Sequence, residues 1–173
     1  IQNWSPIWPK HGIRILPGPS SMWFDATGTR LPAPLFPGSD TLGQLHYIMS
    51  TGHDYSWFIL TQSIIKKEFA LSGSEQNPDL TGKSWRMTIK RATNKGAPAP
   101  VEAFKQNGAD FIVHDRLEDL VTAMNQLSGD NLLKPDHIRT QIEARDREIA
   151  NPYVKDAQVM NLHLSLIHIS EPT

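Results

Sequence analysis

The placement of proline constrains this chain more than any other feature of its sequence. Pro6, Pro9, Pro17 and Pro19 all fall within the first 19 of its 173 residues. Proline lacks the backbone N–H of a helix and clashes with the preceding turn, so helix interiors exclude it. We therefore expect extended, irregular backbone up to Pro19, with helices only further along the chain.

The next residues carry the signals of a hairpin and a helix. Residues 21–25 and 29–31 can pair across a turn in which Gly28 is free to take positive φ. After a second proline-rich turn, Asp40 is the predicted N-cap of a helix that ends at Gly52. One side of this helix is apolar and carries Leu42, Leu45, Ile48 and Met49.

A strand and a short helix are predicted next, and then the composition changes. Residues 55–60 should form a buried strand, and Thr61 should cap a helix whose inward residues are Ile64, Ile65 and Phe69. Residues 71–100 are rich in Gly, Ser, Asn, Pro and Thr, interrupted only by the strand-like SWRMTIK. Because this is long for a plain loop, we expect a functional loop, an insertion or a mobile cover.

Helical patterns dominate the rest of the chain. A helix ending at Asn107, with Gly108 after it, precedes a predicted strand over residues 111–113. Asp115 should cap the next helix, and Pro135 should begin the last one. That last helix is predicted to bury Ile138, Ile142 and Ile149. Its predicted water-facing side carries Arg139, Glu143, Asp146 and Arg147. On this side Glu143 is predicted to form ion pairs with Arg139 and Arg147, each four residues away. The whole pattern predicts an α+β fold.

Composition and motifs exclude several classes of function. The formal net charge of -1 gives no field that would attract nucleic acid or an anionic membrane. The absence of cysteine excludes thiolate chemistry and fits a cytoplasmic location, and no apolar run approaches the roughly 20 residues of a membrane span. The seven histidines include no HExxH, which predicts no metal site. Neither GxGxxG, a P-loop nor GxSxG occurs.

A long idiosyncratic run gives the chain a resemblance to a known family. The runs NWSPIWPKHGIRILPGPSSMWFDATGTRLPAPLFPGSDTLG, YSWFILTQSIIKKEFALSGSEQNPDLTGKSWR and EARDREIANPYVKDAQ resemble the FAD-binding dehydrogenases of the fumarate reductase and ketosteroid dehydrogenase flavoprotein superfamily. In that family an inserted α+β cap, or substrate, domain splits a Rossmann-like FAD domain. The resemblance implies that residues 1–20 end the first half of the FAD domain and that residues 21–163 form the cap. FAD would then be bound mainly by segments outside this sequence.

The sequence departs from the catalytic patterns of both branches of the superfamily. The family pattern Gly-x-Arg-Phe-x-Asn-Glu keeps its Gly28 and Arg30 here but has Pro34 in place of the glutamate. Lys66 stands near the position of the acid arginine of fumarate reductases, and Gly38 near that of the ketosteroid branch's tyrosine. The resemblance implies an FAD-dependent dehydrogenase of a distinct branch, with unidentified catalytic residues. It would transfer hydride between flavin and an organic small molecule, steroid-like or a ketone.

Three residues are the candidates to face the substrate: Trp23, Arg30 and Lys66. Arg30 can hold a carbonyl or a carboxylate, and it can equally be a salt-bridge partner. For Trp23 and its neighbour Phe24 the alternative is plain core packing.

The last ten residues, LSLIHISEPT, resemble a translated sequencing adapter, so residues 164–173 are predicted to be a non-native tail. Read as protein, they would form a short edge strand. The fragment alone should be inactive. Two other hypotheses stay open: a free-standing module that uses residues 71–100 to bind a ligand or protein, and a misassembled reading frame.

Overall fold

The computed structural model describes residues 15–16, 18–68, 70–71 and 99–170, which contain four short strands and six helices. The predicted SWRMTIK strand and Phe69 lie outside these residues. In chain order the elements are β1 (Ile15–Leu16), β2 (Met22–Asp25), α1 (Thr41–Ser50), β3 (Ser56–Ile59), α2 (Gln62–Glu68), β4 (Ala70–Leu71), α3 (Ala99–Asn107), α4 (Leu117–Ser128), α5 (Pro135–Ile149) and α6 (Ala157–Ser170).

The chain divides into two compact units, each built from two stretches of sequence. The first unit comprises Ile1–Gly18 with Thr61–Arg116, and the second comprises Pro19–Leu60 with Leu117–Thr173. The first contains the antiparallel pair β1–β4, α2 and α3. Among its described residues, Ile65, Val101 and Phe104 are the buried apolar ones. The second contains the antiparallel pair β2–β3 and the other four helices.

Local signals set the ends of the helices in the first unit. Thr61 caps α2 as predicted, because its carbonyl oxygen accepts from the Ile65 N–H at 3.0 Å. The Gly108 N–H donates to the Phe104 carbonyl at 2.8 Å and ends α3, also as predicted. The predicted strand over residues 111–113 is wrong. The Phe111 N–H donates to the Gly108 carbonyl in a turn, and residues 111–114 have no strand partner among the described residues.

The predicted hairpin turn is present in the second unit. The Gly28 N–H donates to the Asp25 carbonyl at 3.0 Å, and Gly28 has a φ of 80°. The Asp25 carboxylate accepts from the backbone N–H groups of Thr27 and Thr29, so its side chain shapes the turn. The second arm is shorter than predicted, since it makes a single bridge between Phe24 and Arg30. The main partner of β2 is instead β3.

The β2–β3 pair places one side of β2 in the core of the second unit. Met22 pairs with Ile59 and Phe24 with Trp57, and both Met22 and Phe24 are almost fully buried. The predicted strand is present as β3, but all of its residues are half-buried, so the prediction that this strand is buried is wrong. An antiparallel strand can pack one face and leave the other toward solvent.

Helix α1 begins as predicted, but its apolar side is exposed. The Asp40 carboxylate accepts from the Gly43 N–H at 3.0 Å. Leu42, Leu45 and Met49 are each at least half exposed, and only Ile48 of the apolar side is buried. The buried polar residue is Gln44, whose amide donates to the Phe36 carbonyl at 2.5 Å.

Helix α5 begins at Pro135 and buries Ile138, both as predicted. Ile149 is exposed, which contradicts the prediction, and Arg145 takes a buried position near that end of the helix. Arg139 forms its ion pairs with Glu118 of α4 and Asp136, so the predicted Arg139–Glu143 pair is wrong. The Arg139 side chain is long enough to reach the carboxylate of Glu118 on α4.

Helix α6 was not among the elements expected from the sequence. It runs from Ala157 to Ser170, so the edge-strand alternative is wrong for residues 164–170, and the last three residues lie outside the described part of the chain. Among residues 157–164, the part of the helix whose side chains are described, Gln158 and Val159 are buried, and both lie in the first turn. The N-terminal end of the helix therefore packs on the second unit.

Candidate substrate-facing site

Arg30 forms an ion pair across the second unit with the residue that precedes α6. Its Nη1 donates to Asp156 Oδ2 at 2.5 Å, and its Nη2 donates to Asp156 Oδ1 at 3.1 Å. Nη2 also donates to Gln158 Oε1 at 2.7 Å. Such a two-point pairing fixes both the position and the plane of a guanidinium group. Of the two roles left open for Arg30, the salt bridge is present.

The start of α6 holds the carboxylate in place. Asp156 Oδ1 accepts from the Val159 N–H at 3.0 Å, and its carbonyl oxygen accepts from the Met160 N–H. Asp156 is therefore the N-cap of the helix as well as the partner of Arg30. Burial raises the pKa of Asp156, but the hydrogen bond and charge of Arg30, together with backbone N–H groups, outweigh it and lower the pKa overall.

Side chains of α5 and α6 bind the backbone just before β2. The Gln158 amide donates to the carbonyl oxygens of Pro19 and Ser21, both at 2.6 Å. The Arg145 Nη1 donates to the carbonyl between them, that of Ser20, at 3.1 Å. Three successive carbonyl groups are thus bound by buried polar side chains. These hydrogen bonds satisfy the three carbonyl groups, which would be costly to bury without a donor.

A cavity of about 230 Å³ opens beside Arg30, and we call it the Arg30 pocket. Its polar lining is the cluster just described, Arg30, Asp156 and Gln158. Its apolar lining comes mainly from the segment after the hairpin turn, Leu31, Pro32, Ala33 and Phe36. A small neutral group with one hydrogen-bond acceptor and an apolar body suits such a lining.

Trp23 lies on β2, where its contacts are with β3. Its indole N–H donates to Ser56 Oγ at 2.9 Å, and its ring meets Phe58 edge-to-face with centroids 5.7 Å apart. The indole N–H is therefore already satisfied, and the half-buried ring has a packing role. Phe24, next to it, is fully buried.

Lys66 lies on α2 in the other compact unit, where it is half-buried. Trp23 and Arg30 are neighbours on the hairpin of the second unit, joined by the hydrogen bond of the Leu31 N–H to the Trp23 carbonyl. The described contacts of the second unit therefore connect Trp23 with Arg30. Lys66 belongs to the first unit and takes no part in these contacts.

The candidates from the sequence did not include Asp156, Gln158 or Gln141. Gln141 accepts from the Arg30 backbone N–H and donates to the Gly28 carbonyl, both at 2.7 Å. Asp156 carried a usable signal, because an aspartate just before a run containing Val159 and Leu162 is typical of a helix N-cap. The two glutamines carried none, since a glutamine in a helix is common at exposed positions.

A second polar cluster surrounds Tyr55 at the end of α4. The Tyr55 hydroxyl donates to Asp130 Oδ2 at 2.5 Å, and Ser128 donates to the other oxygen at 3.0 Å. Burial and the bond to Asp130 raise the pKa of Tyr55, and the bond from Tyr55 lowers the pKa of Asp130. These contacts tie the loop after α4 to the segment before β3.

The described residues do not provide a place for the pyrophosphate of FAD. Such a cradle is a glycine-rich turn from a parallel strand into a helix, whose backbone N–H groups face the phosphates. The strands described here form two antiparallel pairs, and the sequence has no GxGxxG. FAD thus does not fit this part of the chain by that criterion.

The described residues contain no group of three or more His, Asp or Glu side chains placed to hold a metal ion. Within the same residues, no helix has both the length and the apolar character needed to cross a membrane.

Comparison with known proteins places the chain in a family. It is 54% identical over 159 residues to the KsdD-like steroid dehydrogenases of two strains of Mycobacterium tuberculosis, which is 92% of this chain and 28% of each relative. A KsdD-like steroid dehydrogenase of Mycolicibacterium smegmatis is 55% identical over the same share of the chain and 29% of its own length. The chain therefore spans less than a third of these relatives. No solved structure matches it.

The family model extends over nearly the whole chain. The FAD binding domain family matches residues 1–170. This match and the dehydrogenase relatives confirm the resemblance found in the sequence, with FAD as the cofactor of the family. The chain thus belongs to the FAD-binding dehydrogenases of the flavoprotein superfamily.

Proposed function

We propose that the whole protein is a cytoplasmic FAD-dependent dehydrogenase that transfers hydride between FAD and an organic small molecule, steroid-like or a ketone. The observation that carries this proposal is the 54% identity over 159 residues to proteins named KsdD-like steroid dehydrogenases. In this proposal residues 1–20 end the first half of a split FAD domain and residues 21–163 form the cap. FAD is held mainly by other segments, so this chain alone is inactive.

The Arg30 pocket supports a role in substrate binding. It combines one charge-balanced polar end with apolar walls, the combination that small-molecule sites use for orientation and affinity. We propose Arg30, the neighbouring Trp23, and Lys66 as substrate-facing residues of the cap. A cap of this kind excludes water from the reacting groups while the cofactor supplies the redox chemistry.

The test uses the protein encoded by source DNA that spans this chain together with its flanking reading frame. We expect the purified protein to be yellow and its flavin absorbance to bleach when a neutral ketosteroid is added without oxygen. The matched control is the same steroid skeleton with its ketone removed, which should leave the flavin oxidised. A colourless protein that binds no flavin would contradict the proposal and favour a free-standing binding module.

A further inference from the structure

We propose that Asn107 is a site of spontaneous deamidation, held unreactive by hydrogen bonds at the end of α3 until the last turn of this helix opens. Asn107 is the last residue of α3, and Gly108 follows it in the one Asn–Gly pair of the 173-residue sequence. Such a modification affects the lifetime of the folded chain and does not depend on its redox chemistry.

Deamidation at this pair needs only the asparagine, the next backbone nitrogen and water. The Gly108 nitrogen loses its proton and bonds to Cγ of Asn107, while the bond from Cγ to Nδ2 breaks and ammonia leaves. Water then opens the cyclic imide at either of its carbonyl carbons, which gives aspartate or isoaspartate. Glycine favours the ring closure because it has no Cβ to hinder the close approach of its nitrogen.

Both reacting groups of the pair take part in hydrogen bonds within α3. The Gly108 N–H donates to the Phe104 carbonyl at 2.8 Å, which keeps the proton on the attacking nitrogen. The Asn107 Nδ2 donates to the Ala103 carbonyl at 2.8 Å, so the side-chain amide is bound to the preceding turn of the helix. Ring closure therefore requires both hydrogen bonds to break.

The packing of this turn explains why the reactive pair is present. A Cβ added to Gly108 would lie 2.8 Å from the backbone carbonyl oxygen of Phe104 and 3.2 Å from Cβ of Phe111. Any side chain at this position would push the end of α3 away from its neighbours. The turn thus requires glycine, and the residue before it has the side chain that glycine makes reactive.

The last turn of α3 can open without the rest of the helix. Val101 and Phe104 are almost fully buried and anchor the helix in the first unit, whereas Gln106 and Asn107 are exposed. Helix ends with few buried contacts open at a low cost in free energy. This local opening frees the Gly108 N–H and the Asn107 amide together, so it sets the rate of deamidation in the folded chain.

Deamidation makes the opening permanent. Aspartate at position 107 has no side-chain N–H for the Ala103 carbonyl, and its charge lies at the negative end of the helix dipole. Isoaspartate adds a methylene group to the backbone, which moves the Gly108 N–H away from the Phe104 carbonyl. Either product therefore loses a hydrogen bond that closes the turn.

Peptide mapping by mass spectrometry tests the proposal on the full 173-residue chain. The chain is incubated at mildly alkaline pH, once folded and once unfolded in guanidinium chloride, and the deamidated fraction of each asparagine is followed over time. In the unfolded chain Asn107 should react faster than every other asparagine, and folding should slow it by at least about tenfold. Slower reaction than another asparagine in the unfolded chain, or a smaller effect of folding, would overturn the proposal.

Two matched core variants separate opening of α3 from unfolding of the whole chain. Val101→Ala leaves a cavity under α3 and should raise the folded-state rate at Asn107 about tenfold, with the unfolded-state rate unchanged. The control is Val121→Ala, because Val121 is equally buried but lies on α4 in the second unit. It should leave the rate at Asn107 unchanged. Equal acceleration by both variants would refute local opening as the controlling step.

A third variant confirms the chemistry at the residue. Asn107→Gln keeps a side-chain amide but would have to close a larger ring, so the isoaspartate product should disappear from this peptide. Isoaspartate that persists in the Asn107→Gln chain would assign the modification to another residue and contradict the proposal.

Discussion

Buried polar residues in the second unit show how individual side chains replace apolar packing. Gln158 is 2% exposed and Gln44 is 1% exposed, and each donates to backbone carbonyl groups. A buried amide without partners would cost about 1–3 kcal/mol, so these bonds make the positions tolerable. They also fix the chain segments before β2 and before α1. An apolar side chain could fill the same space at these positions, but only the glutamine amide also supplies N–H donors for the backbone carbonyl groups.

Two leucines of the second unit provide a matched test of its core. Leu133 is 1% exposed, whereas Leu42 is 63% exposed. Leu133→Ala should lower the free energy of unfolding by about 2–5 kcal/mol, because it leaves a cavity. Leu42→Ala should change it by less than about 0.5 kcal/mol. Urea unfolding of both variants checks this, and equal losses would show that Leu42 is covered in solution.

The ion pair of Arg30 and Asp156 predicts a loss of stability in acid. Asp156 has a lowered pKa in the folded chain, and its ordinary value is about 3.9. Its stabilising contribution is therefore complete above that value and is lost as the pH falls through the lowered folded value. The Asp156→Asn variant should have a lower free energy of unfolding than the natural chain at pH 7. Between roughly pH 5 and pH 2, the range in which Asp156 titrates, the variant should lose less of its remaining stability than the natural chain does.

Thermal unfolding across that pH range measures the difference. The control is Asp136→Asn, because Asp136 is fully exposed and lies 3.9 Å from Arg139. Exposed pairs of this kind contribute little. An Asp156→Asn chain whose acid loss parallels that of the natural chain would show that this carboxyl is not a source of the pH dependence.

At the scale of elements, the hairpin turn depends on one glycine for two reasons. Gly28 has a φ of 80°, and a Cβ added there would lie 3.1 Å from Leu133 and 3.2 Å from Ile138. Gly52 has nearly the same φ of 79°, but nothing lies within 4 Å of its position. Comparing the two alanine variants separates crowding from backbone strain.

We expect Gly52→Ala to lower the free energy of unfolding by about 1 kcal/mol, the cost of a left-handed backbone. Gly28→Ala should cost more, about 2–4 kcal/mol, because Leu133 and Ile138 must also move. Chemical denaturation gives both values. Equal costs would mean that the core beside the turn adapts without penalty.

Elements with signals close in sequence were the predictable ones. Asp40, Thr61 and Gly108 mark helix ends through bonds to residues at most four positions away. Pro135 begins a helix because its fixed φ suits the first helical position. Each of these predictions is confirmed. The strand over residues 111–113 was predicted from apolar residues alone, but a strand also needs a partner. The sequence does not specify that partner locally.

At the scale of the whole molecule, the candidate site depends on contacts that no local pattern encodes. Arg30 and Asp156 are 126 positions apart, and Gln158 meets Pro19 across 139. The second unit joins two stretches of the chain separated by the first unit. Sequence reasoning identified Arg30 through its family resemblance, but it could not distinguish ligand from ion-pair partner because the choice depends on this long-range packing.

The end of the chain allows a test of which residues belong to the folded protein. Helix α6 buries Gln158 and Val159 in its first turn, and Leu164 is already 56% exposed. A chain ending at His163 should therefore unfold within about 0.5 kcal/mol of the 173-residue chain. Val159→Ala, the control, should lose about 1–3 kcal/mol in the same urea titration.

The two outcomes of this truncation have different consequences for LSLIHISEPT. An unchanged stability agrees with our prediction that residues 164–173 are a non-native tail, since a helix can continue past its packed turns on its own propensity. Sequencing source DNA across the codon of His163, from template that never passed through a transposase library, should then replace these ten residues with another reading frame. A loss comparable to that of Val159→Ala would contradict the prediction, because it would mean that the tail packs as part of the native structure.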